Sequence, residues 1–287
     1  MPFGILLGLA LAALGHAVWN ALARRINQRD EYFTLITALG VVIYSPWAVY
    51  LALHHSIPTR AWAWWAASVG FEVAYMVVLA QAYRVGEFSV VYPLARGTSP
   101  LWAAVLAIPL YGYHLTPIGV AGILSVVAGV FLVNRAPRGN VRMPSSRPIP
   151  PAVLWALLSG VCTAAYMLAD SKGARLMSPV LFIYLVYGGL SLAKAIVDIG
   201  RKRCDYGGVL RRHTFSVVVG GMLAFAVNAV VVSALRLVPV GYVAATRELS
   251  IAFGAVIGAI WLREPMTRYR IAAISLIVLG VVLIGLA

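Results

Sequence analysis

Apolar residues run through this chain in unbroken stretches of roughly twenty residues, separated by short polar punctuation. Each stretch is long enough, as a helix, to cross about 30 Å of hydrocarbon. The pattern predicts ten transmembrane helices, at 4–23, 32–53, 61–83, 88–111, 117–134, 152–170, 179–199, 215–236, 241–262 and 270–286. The expected fold class is all-α, a polytopic membrane protein with almost no soluble domain. Two connections are longer than the rest. "RAPRGNVRMPSSRPIPP" (135–151) has the Pro, Arg and Ser content of a linker, and "IGRKRCDYGGVLRRH" (199–213) is a basic loop.

The two sides of that linker resemble each other. At one constant offset Arg96 falls on Arg247, Ser99 on Ser250, Thr116 on Thr267 and Gly129 on Gly280. One residue of slippage lays "AYRVG" (82–86) over "ALRLV" (234–238). More weakly, "HAVW" (16–19) overlies "TAAY" (163–166), with Arg25 over Lys172. The expected units are residues 1–135 (helices 1–5), a linker at 136–151, and residues 152–287 (helices 6–10). Five helices per unit is an odd number, so the second copy enters the membrane from the opposite face. Inverted repeats of this kind let secondary transporters alternate access around a site at the membrane midplane.

Composition agrees with the pattern: 62% of the residues are hydrophobic and only 11% charged, against about a quarter charged in soluble domains. The net charge of +14 would point a soluble protein towards nucleic acid. Here most of the basic residues lie in the loops of one parity. The positive-inside rule then places the linker in the cytoplasm and both termini outside, and no nucleic-acid partner is expected. Cys162 and Cys204 form neither a metal spacing nor a disulfide framework. "MPFGILLGLALAALGHAVWNALARR" lacks a basic leader, so it is read as a retained first span.

A few polar residues interrupt the apolar runs. Arg96 sits in "VYPLARGTSP" between Pro93 and Pro100, beside Gly97, and Arg247 repeats its position in the second half. Intramembrane ionisable groups commonly line solute or ion paths. A guanidinium suits carboxylate or phosphate, which it grips with two hydrogen bonds. The alternative is that each arginine snorkels to its near interface. Pro93, Gly97 and Pro100 weaken the helix as a hinge or gate would, or else kink it for packing. Glu72 and Glu248 are the carboxylates of the spans. Each is a candidate for coupling, and Glu72 also for a substrate ammonium; structural ion pairing is the alternative for both.

In the first span His16, Trp19 and Asn20 share one helical face, and Tyr166 matches Trp19 in the second half. Tyr75, Tyr92, Gln81 and Asn228 are further polar positions near such a cavity. Trp62, Trp64 and Trp65 read as interfacial anchors. Gly119, Gly122 and Gly129, with Gly254 and Gly258, form small-residue seams for close helix packing, and leave a homo-oligomer open. No phosphate loop, metal-ligand spacing, paired-carboxylate site or nucleophile elbow is present, so neither an enzyme nor a cofactor is expected.

"HAVWNALARR", "YPLARGTSP" and "RELSIAFGAVIGAIWLREPMTRYRIAAISLIVLGVVLIG" resemble the EamA-type drug/metabolite transporter superfamily. That resemblance implies a carrier of small polar metabolites in a bacterial inner membrane, commonly an exporter of amino acids and related solutes. It also implies a cavity between helices 1, 3 and 4 and their counterparts 6, 8 and 9. The expected function is secondary transport of an amino acid or organic anion by alternating access. The alternatives are a multidrug exporter of lipophilic cations, bound by Glu72 or Glu248, and a lipid-binding scaffold that transports nothing. The long basic loop and Glu72 depart from the simpler family pattern.

Overall fold

The computed structural model describes residues 1–23, 26, 28–112, 115–133, 151–199, 204–261 and 266–287. All regular structure among them is α-helix: α1 (Phe3–Ala23), α2 (Arg29–His54), α3 (Thr59–Val85), α4 (Phe88–Gly97), α5 (Ser99–Tyr111), α6 (Pro117–Val133) and α7 (Pro151–Leu176). The order continues with α8 (Pro179–Ile199), α9 (Tyr206–Arg212), α10 (Thr214–Leu235), α11 (Val240–Arg247), α12 (Leu249–Trp261) and α13 (Arg268–Leu286). Eight runs among the described residues are long and apolar enough to cross a membrane, with α11 and α12 together supplying one of them. The other two expected spans fall on shorter helices, the α4–α5 pair and α6. Large apolar side chains such as Phe3, Leu53 and Ile260 point outward, as contact with hydrocarbon requires. The expected linker, and Arg25 of the weaker repeat match, lie outside the described residues.

The sequence boundaries need three corrections. The sixth span does not stop at 170, because α7 continues to Leu176. The basic loop at 199–213 contains a short helix, α9, which Asp205 caps: its Oδ1 accepts from the Gly208 N–H at 2.8 Å, and its Oδ2 from the Arg212 guanidinium at 2.8 Å. Spans four and nine, expected whole, are each divided in two. Thr98 separates α4 from α5, and Glu248 separates α11 from α12. Both linking residues keep right-handed helical dihedrals (φ −86°, ψ −18° at Thr98; φ −68°, ψ −11° at Glu248). Each break therefore interrupts the hydrogen-bond ladder without reversing the chain.

The chemistry of the first break is local. Pro100 has no N–H to give the Arg96 carbonyl, and the Ser99 hydroxyl donates to it instead at 3.1 Å. The same device recurs in α2, where Pro46 deprives the Val42 carbonyl and the Ser45 hydroxyl supplies it at 2.8 Å. The second break contains no proline. There the Glu248 N–H, which also faces the Thr246 carbonyl, reaches the Ala245 carbonyl at 3.1 Å, a tightened 3₁₀-type turn.

Packing follows the small residues. The α6 and α13 backbones touch at Gly122 and Gly280. A Cβ on Gly122 would stand 2.7 Å from the Gly280 carbonyl oxygen, and the Ser125 hydroxyl donates to the Leu276 carbonyl at 2.8 Å beside them. Gly241 of α11 lies so close to Ala104 of α5 that an added Cβ would be 2.8 Å from the alanine methyl. Gly254, expected in a seam, faces open space. Of the three expected anchors only Trp62 is exposed; Trp64 and Trp65 pack on the cluster around Phe182, Tyr187 and Phe225. Helix α7 packs on α3, α4, α5, α10 and α11, while α1 packs on α10, α11 and α12.

Candidate functional site

Both breaks lie against this interior. Thr98 seats against Gly160 of α7 while its hydroxyl donates back to the Leu94 carbonyl at 2.6 Å. Gly97 brings the end of α4 close to Phe131. The breaks are joined by an ion pair: Arg96 Nε lies 3.6 Å from Glu248 Oε2. That is too long for a hydrogen bond, and neither atom has a hydrogen-bond partner. Glu248 is 3% exposed. The close partner of Glu248 is thus Arg96 of α4, not its sequence neighbour Arg247.

Other charges gather around the pair. Arg247 interacts electrostatically with Glu72, Asp170, Glu248, His16, Tyr75, Tyr166 and Tyr187. It makes no hydrogen bond or close ion pair among the described residues. Arg96 interacts with Tyr75, Tyr92 and Tyr166 as well as Glu248. The Tyr75 and Tyr166 rings meet edge to face, centroids 6.2 Å apart. Asn228 donates to the Tyr187 hydroxyl at 2.9 Å and to the Ala224 carbonyl at 2.9 Å. His16, Glu72, Tyr75, Tyr92, Arg96, Tyr166, Asn228, Arg247 and Glu248 are thus linked in one polar network.

Two candidates stand apart. Asn20 spends its amide N–H on the His16 carbonyl of its own helix, at 2.7 Å. Trp19 packs edge on to His16 and Phe33, in the cluster around Tyr32 and Val217. The proline and glycine candidates supply backbone form rather than polar groups: Pro93 lies within α4, Gly97 ends it, and Pro100 starts α5.

One acidic member was missed. Asp170 of α7 is 4% exposed, and the Ser68 hydroxyl of α3 donates to its Oδ1 at 2.5 Å. Glu72 and Glu248 are therefore not the only carboxylates of the interior. The available signal was a carboxylate in "MLADSKGARL", obscured because hydropathy ended the span at that residue. Separately, a crevice of about 470 Å³ lies between α1, α2, α8 and α10, lined by apolar groups including Gly4, Gly8, Tyr44, Trp47 and Phe225. None of the charged network lines it.

A bundle of apolar helices with an ionisable network at paired helix breaks defines a polytopic membrane protein with a polar interior. Residues 150–286, just under half of the chain, match the model of the EamA-like transporter family, a family of membrane transporters. No curated protein matches the chain. A crystal structure of a protein 18% identical superposes with a TM-score of 0.74, covering 98% of this chain and 95% of that one. At that identity the likeness shows the fold.

Proposed function

We propose that the chain is a secondary transporter that moves a small anionic or zwitterionic metabolite, an amino acid or organic anion, by alternating access, in the export direction. Arg96 and Arg247 hold the solute's anionic group. Tyr75, Tyr92 and Tyr166 line the path, and His16 and Asn228 add polar contacts. The observation that carries this reading is the loose Arg96–Glu248 pair, whose facing atoms are buried and unsatisfied. Such atoms gain from a ligand that supplies the missing hydrogen bonds. An unpaired Arg247 beside them offers a second guanidinium.

In this reading ten spans form two inverted five-helix halves, in a bacterial inner membrane with the linker cytoplasmic. The packing pattern supports the symmetry. Exchanging the halves carries the α1–α12 contact onto the α7–α5 contact, and α1–α11 onto α7–α4, while α6–α13 maps onto itself. The two ladder breaks then serve as matched hinges. Asp170, a third carboxylate, favours one rival: a lipophilic cation held by Glu72, Asp170 or Glu248.

A thermal-stability screen of purified protein separates the two. Ligands that bind the folded state raise apparent stability by mass action. The anion reading expects shifts with amino acids, organic acids or phosphorylated metabolites, lost in Arg96→Ala and Arg247→Ala. Shifts with lipophilic cations alone would transfer the site to the carboxylates.

A further inference from the structure

The crevice between α1, α2, α8 and α10 lies apart from the charged network, so what it holds is independent of the transport reading. Small residues open its walls. Gly4 and Gly8, one turn apart on α1, present a bare strip of backbone, and a Cβ at Gly4 would meet nothing within 4 Å. Beside them in the lining, Tyr44 of α2 stacks on Phe225 of α10, ring centroids 4.2 Å apart. Both hydroxyls of the lining are spent on backbone: Tyr44 donates to the Met222 carbonyl at 3.2 Å and Ser233 to the Ala229 carbonyl at 2.7 Å. Such a wall offers little to a polar solute, and an apolar cavity does not hold water. Hydrocarbon suits it, because atoms lining an unfilled gap forfeit their dispersion contacts.

Length and charge narrow the occupant. The lining runs along α10 and its C-terminal turn from Phe225 to Leu237, a rise of about 18 Å at about 1.5 Å per residue. One leaflet of hydrocarbon is about 15 Å thick, half of a core of roughly 30 Å. Trp47, Val230 and Leu237 are exposed at the mouth, so the crevice opens sideways into that leaflet. Its volume of about 470 Å³ lies in the range of roughly 300–1,000 Å³ usual for small-molecule sites. Arg236 stands at the end where the lining reaches Leu237. It keeps helical dihedrals (φ −70°, ψ −31°), three residues after Ser233 and seven after Ala229, on the side of the helix that lines the crevice. It is exposed and makes no hydrogen bond or ion pair among the described residues. Two other cations of this surface are engaged: the Met1 ammonium donates to the Gly285 carbonyl at 2.9 Å, and Lys172 to the Leu110 carbonyl at 3.2 Å. The N-terminus of α8, whose second residue Val180 lines the crevice, adds a positive dipole end there.

We propose that this crevice is a lipid site, in which one acyl chain of an anionic phospholipid lies along α10 and the headgroup phosphate is held by Arg236. A guanidinium grips phosphate with two parallel hydrogen bonds. The bound lipid joins α1 and α2, which precede residues 135–151, to α8 and α10, which follow them. It therefore stabilises this arrangement of the helices by mass action.

Native mass spectrometry of the delipidated full chain in detergent, titrated with palmitoyl-oleoyl phosphatidylglycerol, tests this by counting the lipids that each chain retains. Wild-type protein is expected to hold a first lipid more tightly than any later one. Gly4→Leu fills the crevice and Arg236→Gln removes the partner of the phosphate; each should weaken the first binding at least about tenfold, the loss of one interaction. Gly70→Leu places the same side chain at an exposed position of α3, also with nothing within 4 Å, and should bind as wild type does. Palmitoyl-oleoyl glycerol, with the same chains and no phosphate, should bind wild type as weakly as the phospholipid binds Arg236→Gln. A wild-type protein with no preferred first lipid overturns the proposal, as does binding that Gly4→Leu leaves unchanged or that Gly70→Leu weakens equally. Diacylglycerol held as tightly as the phospholipid would overturn the phosphate contact, and a dimer abolished by Gly4→Leu would give the crevice to a second copy of the chain. Arg236 is exposed, so Arg236→Gln carries the test if Gly4→Leu fails to fold.

Discussion

At the residue scale, the central feature is a buried charge pair held at 3.6 Å across two helix breaks. Removing one partner from a buried pair typically costs about 3–5 kcal/mol, because the other charge is left uncompensated. Arg96 keeps a quarter of its side chain exposed and Glu248 almost none. Arg96→Ala, which strands the deeply buried carboxylate, should therefore destabilise more than Glu248→Gln; denaturant unfolding in detergent would measure the order, and the reverse order would refute it. Arg96 and Arg247 were legible as interior groups because each interrupts an apolar run at the same register. Their partners were not: the spacing along one helix says nothing of a contact made between halves, and Asp170 looked like a span end.

The exposed Asp205 lends itself to a pH prediction. The Gly208 N–H, then Arg212, hold its carboxyl below the usual carboxylate range. A depressed folded-state value means that the cap's contribution is complete above that range. It is lost as pH falls through the folded value. Hydrogen exchange at the Gly208 amide should stay slow until the solution is more acidic than an ordinary aspartate requires; acceleration already within the ordinary range would contradict it.

At the scale of the element, the α4–α5 break follows from a serine–proline pair, and α11–α12 shows that the same break forms without proline. The first was readable as a weakened helix; the second was not, since no residue in "VGYVAATRELS" advertises it. Ser99→Ala should leave the Arg96 carbonyl unsatisfied and lower stability by about 1–2 kcal/mol. In the double variant Ser99→Ala/Pro100→Ala a backbone N–H returns at position 100, so the loss should be largely recovered. Strict additivity of the two substitutions would argue against the hydroxyl's role. Helix seams give a second contrast. Gly122→Ala pushes a methyl into the Gly280 carbonyl and should cost about 1–3 kcal/mol, whereas Gly254→Ala enters open space and should be neutral or better. Equal effects at the two sites would show that the α6–α13 contact is not as close as described. Glycine spacing alone could not separate them, because both lie in similar small-residue patterns and only the packed neighbour differs.

At the scale of the whole molecule, hydropathy sufficed for an all-helical membrane protein, since nothing else accounts for 62% hydrophobic residues in helix-length runs. It placed most of the long helices within a few residues. Which helices touch was not legible in hydropathy, because contacts such as α3–α7 and α6–α13 join residues far apart in the chain. The transport reading joins these scales: matched breaks supply hinges, and the arginines beside them supply the solute's counter-charge. Counterflow in proteoliposomes tests it most directly, using whichever solute gives the largest thermal shift and comparing wild type with Arg96→Ala and Arg247→Ala at equal reconstituted amounts. We predict accumulation of labelled solute by the wild type and loss of at least about tenfold in each variant, the equivalent of one missing interaction of roughly 1.4 kcal/mol. Undiminished counterflow in both variants, with the proteins folded, would contradict the assignment of the arginines to the solute.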